Sequence, residues 1–96
     1  MAHYVVLANF TDQGIRGIKD TGKRAKGFHE AAKQMGVKIQ NIYWTMGRYD
    51  VVVIMEASND ETVAALMMKI GSFGNMKSQT LRAFTETEID PLTSRI

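Results

Sequence analysis

The sequence contains no cysteine and only one proline, Pro91, among 96 residues. The missing cysteine excludes disulfides, thiolate-bound zinc, iron–sulfur clusters and cysteine nucleophiles together. Long apolar runs are missing as well. The longest, residues 63–68, is six residues, far below the roughly 20 a membrane-spanning helix needs. The first residues, Met1-Ala2-His3-Tyr4, lack the basic and long apolar regions of a secretory leader, so a cytoplasmic protein is expected. Charge is nearly balanced at +2, too little to point to nucleic acid. Only two histidines occur, His3 and His29. Neither has a companion at ligand spacing, so no metal site and no cofactor is expected.

Catalytic signatures are equally scarce. There is no Gly-x-Ser-x-Gly elbow and no serine with an evident histidine partner. The glycine-rich Gly71-Ser72-Phe73-Gly74-Asn75 follows a helix pattern and enters a strand pattern. A phosphate loop needs the reverse order, with backbone amides at a helix start, so this segment reads as a connector. Arg16, Lys19, Lys23 and Lys26 form a basic stripe at helical spacing, which in most proteins is a solvated face. An RNA-reading sheet would want paired aromatics on its open strands, and residues 49–54 (YDVVVI) lack them.

What is present is a globular composition, 45% hydrophobic and 23% charged, enough for one compact domain. Residues 2–10 (AHYVVLANF) read as a strand, followed by Thr11 as a helix cap. Asp20 or Thr21 opens a longer helix with Ala25, Phe28, Ala32 and Met35 on one face, ended by Gly36. Residues 37–46 and 49–57 form a strand pair joined through Gly47-Arg48, which suits a two-residue hairpin. That register sets Thr45 opposite Asp50, Trp44 opposite Val51, Tyr43 opposite Val52 and Ile42 opposite Val53. Ser58 and Glu61 are spaced as a capping box before a second helix carrying Val63, Leu66, Met67 and Ile70, stopped at Gly71. Residues 76–85 read as a fourth strand, and residues 86–96 as a tail or short turn. The seven methionines fall mostly at apolar positions and read as core or interface filler.

The order is βαββαβ. It predicts an α+β, ferredoxin-like domain over residues 1–88, with residues 89–96 as a tail. Right-handed crossovers place both helices on one face of a four-stranded antiparallel sheet. The other face is the informative one. Along residues 49–56 both alternating sets contain large aliphatics, Val51, Val53 and Met55 in one and Val52 and Ile54 in the other. A sheet covered on one side only should show a clean polar face. The pattern therefore predicts a homo-oligomer that buries the bare face; a monomer with an exposed apolar sheet is the alternative.

At Gly47-Arg48-Tyr49-Asp50 the sequence resembles the GYD-domain family of small uncharacterised proteins, with its glycine–any–tyrosine–aspartate signature. The likeness extends over residues 42–61 (IYWTMGRYDVVVIMEASNDE). It also takes in Phe10-Thr11-Asp12-Gln13-Gly14-Ile15 and Thr80-Leu81-Arg82-Ala83-Phe84-Thr85. The resemblance implies a dimeric α/β barrel, two such sheets packed face to face. It implies no chemistry, since related barrels include enzymes, haem-handling proteins and ligand sensors.

Tyr49 and Asp50 are adjacent in an extended segment and point to opposite faces. The more polar set, Asn41, Tyr43, Thr45 and Asp50, is assigned to the cavity side, and Trp44, Tyr49, Val51 and Val53 to the core. In the last strand Ser78, Thr80, Arg82 and Phe84 share a face and are assigned to the same cavity. Asp50 with Arg82 then makes a charge pair or an acid and an anion clamp for a ligand; alternatively Asp50 bonds backbone near the turn or Thr45. The candidate ligand-binding residues are Asp50, Arg82, Tyr43, Thr45, Thr80 and Asn41, and no catalytic residue is assigned. The expected function is a small-molecule-binding or sensing module using a cavity between the sheets of a homo-oligomer. A metal-independent enzyme on a small organic substrate is the alternative, and a structural assembly protein a further one.

Overall fold

A computed structural model describes all residues, Met1–Ile96. Its elements are β1 (Ala2–Phe10), α1 (Asp12–Arg16), a 3-10 turn (Ile18–Asp20), α2 (Thr21–Gln34), β2 (Lys38–Trp44), β3 (Val51–Ala57), α3 (Asp60–Ser72), β4 (Met76–Ala83) and α4 (Glu86–Thr93). The four strands form one antiparallel sheet in the order β2-β3-β1-β4. This is the ferredoxin-like arrangement read from the sequence. No helix is long and apolar enough to cross a membrane.

Local chemistry explains most element ends. Thr11 accepts the Gly14 N–H on its hydroxyl and so caps α1. Gly36, with φ +75, takes the left-handed turn after α2. Two ends differ from expectation. The cap of α3 is Asn59, whose side-chain oxygen accepts the Thr62 N–H at 2.9 Å, rather than Ser58. α3 also runs past Gly71 to Ser72, and the left-handed turn falls at Gly74, φ +84. The β2–β3 register is the one expected: Trp44 faces Val51, Tyr43 faces Val52 and Ile42 faces Val53. Strand pairing stops there, so residues 45–50 form a wider loop than a two-residue hairpin, closed by Thr45 N–H donating to the Asp50 carbonyl at 2.8 Å. β2 also carries an irregularity between Ile39 and Asn41.

The segment expected as a tail contains α4, and the expected domain boundary at residue 88 falls within it. The Glu88 carboxylate accepts the Thr85 N–H at 2.8 Å and the Thr85 hydroxyl at 3.0 Å, which starts the helix.

Alternation divides the sheet into two faces. Tyr4, Val6 and Ala8 of β1 and Val51, Val53, Met55 and Ala57 of β3 are buried beneath the helices, against Ala31 and Ala32 of α2 and Val63 and Leu66 of α3. The other face carries Val5 and Leu7 of β1, Val52 and Ile54 of β3 and Leu81 of β4. Nothing in the chain's own core covers these side chains, and all are half-buried or exposed. Only 13 of 96 residues are buried, and the accessible surface is 6569 Å². A compact monomer of 10.7 kDa is expected to expose roughly 5,500 Å². The chain thus leaves on the order of 1,000 Å² more surface exposed than its mass requires.

The β1–α1 junction is pinned to the α3–β4 connector. Thr11 N–H donates to the Asn75 carbonyl at 3.0 Å, the Thr11 hydroxyl to the Gly74 carbonyl at 2.6 Å, and Gln13 Nε2 to the Phe73 carbonyl and Asn75 Oδ1, both at 2.9 Å. Gly14 sits beneath this clamp, and the Asn75 carbonyl occupies the place a Cβ would take. Gly14→Ala must part the two segments and is expected to cost about 1–3 kcal/mol. Urea unfolding measures it, and an unchanged midpoint contradicts the clamp.

Candidate functional site

Two surfaces of the fold can hold a ligand or partner. The first is a cleft between α2 and α3 over the helix side of the sheet. Its floor is Val6, Ala8 and Val53, and its walls include Phe28, Trp44 and Ile70. The volume is about 660 Å³, within the range of small-molecule sites. The cause lies in α2, TGKRAKGFHEAAKQ, whose sheet-side residues are mostly alanines and whose one large apolar side chain is Phe28. Small side chains cannot bridge the space to α3, so the two helices touch each other little. Trp44 Nε1–H donates to the Thr21 hydroxyl at 3.0 Å, which braces one mouth of the cleft. Arg24 donates to the Gly17 and Gly14 carbonyls, both at 3.1 Å, tying α2 to the preceding turns. Glu30 and Lys69 are exposed and stand at the rim. This cleft is not among the sequence-based candidates; its one signal is the alanine-rich face of α2, which by periodicity alone is indistinguishable from ordinary core.

The second surface is the open sheet face. Asn41 and Tyr43 lie on it opposite Ile54 and Val52. Asp50 and Thr45 meet at the loop that closes the same corner. Four of the six expected residues therefore lie along the β2–β3 side of the open face or at the loop that closes it.

It does not bring in the other two. Thr80 stands opposite Val6, and Arg82 opposite Tyr4, so Ser78, Thr80 and Arg82 are on the helix side of β4, against expectation. β4 is an edge strand at which helix cover is incomplete, so polar residues tolerate either face there. The Asp50–Arg82 pair is therefore not formed. Asp50 accepts the Phe10 N–H at 2.9 Å, whereas Arg82 lies across from Tyr4, six strand residues or about 20 Å away along β1. Asp50 thus bonds backbone, but that of β1 rather than of its own turn. Thr45 instead donates its hydroxyl to the Tyr49 carbonyl at 2.6 Å. Trp44, Val51 and Val53 keep the helix side, as expected, although Trp44 is half exposed there.

The polar partners at the far end of the sheet, Glu56, Asp60 and Glu88, are absent from the sequence-based candidates, and so is their grouping with His3, Tyr4 and Arg82. On the open face His3 Nε2 is 2.8 Å from Glu56 Oε1, and His3 Nδ1 is 3.8 Å from Glu88 of α4. On the helix side the Tyr4 hydroxyl donates to Asp60, and the Arg82 guanidinium lies 4.4 Å from the Phe84 ring centre and 5.6 Å from that of Tyr4. Burial of its ring raises the Tyr4 pKa above the usual 10.0, and the Asp60 carboxylate adds to the rise. Backbone and hydroxyl donation from Thr85 lowers the Glu88 pKa below the usual carboxylate value.

The family model for the GYD domain matches residues 4–92. This chain belongs to the GYD domain family. A curated relative from Thermus thermophilus, named glutamine synthetase and cystathionine beta-lyase binding protein, is 31% identical over 90 residues, covering 93% of this chain and 95% of the relative. Among solved structures, TTHA0845 from the same organism superposes with a TM-score of 0.58 at 22% identity, covering 88% of this chain and 95% of that one. The superposition supports the fold. In this GYD domain the signature aspartate, Asp50, anchors the start of β3 to the end of β1, and the first family-like block, with Thr11, Gln13 and Gly14, forms the clamp on the α3–β4 connector.

Asp50→Ala removes the acceptor for the Phe10 N–H and is expected to cost about 1–2 kcal/mol. The double variant with Arg82→Ala should be additive to within about 0.5 kcal/mol; larger coupling in a double-mutant cycle contradicts the separation of the two residues. The raised pKa of Tyr4 means that the unfolded chain loses this proton first as pH rises. Its contribution is complete below pH 10 and is lost as pH climbs through the folded-state value. Urea titrations between pH 9 and about 11 should show a downward slope that Tyr4→Phe flattens; an equal slope in the variant contradicts it.

Proposed function

We propose that this GYD-domain protein is a binding module that works as a homodimer. Its open sheet faces pair, and the cleft between α2 and α3 receives a small apolar molecule. The observation that carries the ligand reading is the cleft itself, about 660 Å³ of mostly apolar, partly aromatic wall already formed in one protomer. The pairing reading rests on the uncovered Val5, Leu7, Val52, Ile54 and Leu81, since contiguous apolar area of this kind marks an interface. In such a pair Asn41, Tyr43, Thr45 and Asp50 lie together at one corner of the joined faces and form its polar rim. Three groups that could serve as acids or bases on the sheet are already engaged, which favours binding over catalysis: His3 with Glu56, Tyr4 with Asp60, Asp50 with the Phe10 amide.

A second reading has its own support. The Thermus relative is named as binding two enzymes, so docking onto a metabolic enzyme is a role for the same module, with the cleft ligand regulating it. The two readings are compatible, because pairing leaves the helix layer outside.

A fragment screen by thermal shift, repeated on Ala25→Phe, tests the ligand reading. Ala25 lines the cleft, and a phenyl ring there fills it without removing any core contact. Apolar fragments should stabilise the wild type and bind the variant at least tenfold more weakly. Equal stabilisation of both, or none of the wild type, overturns it. Titration with purified glutamine synthetase from the same cells checks the docking reading, and no binding at micromolar concentration counts against it.

A further inference from the structure

We propose that α4 is an arm by which each copy holds the other: its Ile89–Leu92 edge packs on the second copy beside the paired sheet faces. The proposal rests on the pairing reading above and adds a contact that reading does not require.

The chain leaves the sheet at Ala83, and the Glu88 carboxylate, bound to the Thr85 amide and hydroxyl, turns it at once into α4. The first turn of α4 lies on the open side of the sheet. Glu88 is 3.8 Å from His3 Nδ1, and His3 bonds Glu56 at 2.8 Å across β1 and β3. The arm is therefore set beside the uncovered apolar surface rather than behind it.

Beyond that first turn α4 has little support from its own chain. It has eight residues and an internal proline, Pro91, and a helix this short is not stable alone in water. Ile89 and Leu92 are three residues apart and share an edge. Ile89 is 45% exposed and Leu92 half-buried, and neither belongs to the hydrophobic core or to the side chains packed against it. That edge offers apolar surface to a second chain.

A second copy fits best. The excess of about 1,000 Å² over a compact monomer exceeds the roughly 800 Å² that each partner buries in a standard stable interface. Charge agrees. α4 carries Glu86, Glu88 and Asp90 and no basic residue, while the open face presents Lys38 on one edge strand and Lys77 on the other. An acidic arm thus meets a sheet whose two edges are basic, and the same arrangement recurs from the second copy to the first.

The test compares the full chain with the double variant Ile89→Asp/Leu92→Asp by sedimentation equilibrium. The variant should raise the dimer dissociation constant at least tenfold with an unchanged circular dichroism spectrum, while Met68→Asp, exposed on α3 in the helix layer, leaves the constant unchanged. A dimer equally tight in the double variant overturns the arm and leaves sheet pairing standing. A wild type that stays monomeric overturns both. Should the double variant lose its fold, a spin label on Thr93→Cys decides the matter, because the chain has no other cysteine. Mixed with isotope-labelled wild type, the spin-labelled chain should broaden amide signals of β1 or β4 in the wild-type copy. Wild-type signals left sharp in a mixture that forms dimers overturn the proposal.

Discussion

The fold depends on a sheet that is apolar on both sides. Neighbouring residues of β1, Val5 with Val6 and Leu7 with Ala8, point to opposite faces, and β3 repeats the pattern with Val51, Val52, Val53 and Ile54. One face is satisfied inside the chain by Ala31, Ala32, Val63 and Leu66. The other has only the first turn of α4 at its His3–Glu56 end, and no core side chain covers its aliphatics. A sequence that places β-branched aliphatics on both faces of its central strands asks for a second layer, and a 96-residue chain has only two long helices, both used on the first face. The thin core and the surplus surface are consequences of that one constraint.

The layer that does exist is itself incomplete. α2 brings mainly alanines to the sheet, so it approaches closely but fills little width, and the cleft beside Phe28 and Trp44 is the remainder. An open apolar cleft of this kind is the usual form of a small-molecule site, and the proposed ligand reading rests on it. The hydrogen bonds of Trp44 and Arg24 hold its mouth and base without entering it.

Much of this was legible in the residues because it follows from periodicity. The element order and the β2–β3 register came from alternation and from the symmetric placement of Gly47-Arg48. Element ends were less legible where neighbours compete for one role. Ser58 and Asn59 are both good caps, and which of them receives the Thr62 amide is decided by the path of the chain. Gly71 and Gly74 can both end a helix, but only Gly74 lies where the connector must meet Thr11 and Gln13. The site suffered from one false premise, that polar residues mark the cavity side. On β4 the polar set Ser78, Thr80 and Arg82 faces the helices, and Leu81 belongs to the open face. An edge strand is wet on both sides, so composition does not fix its orientation. The pairing of His3 with Glu56 was not legible because the two are far apart in sequence and meet only through the β1–β3 register.

Whether a second copy covers the open face is decided by solution X-ray scattering combined with light scattering at micromolar concentration. A paired sheet gives a particle of twice the 10.7 kDa chain mass, with a radius of gyration well above the 14.4 Å of one protomer. A 10.7 kDa particle with a radius near 14.4 Å rules the pairing out.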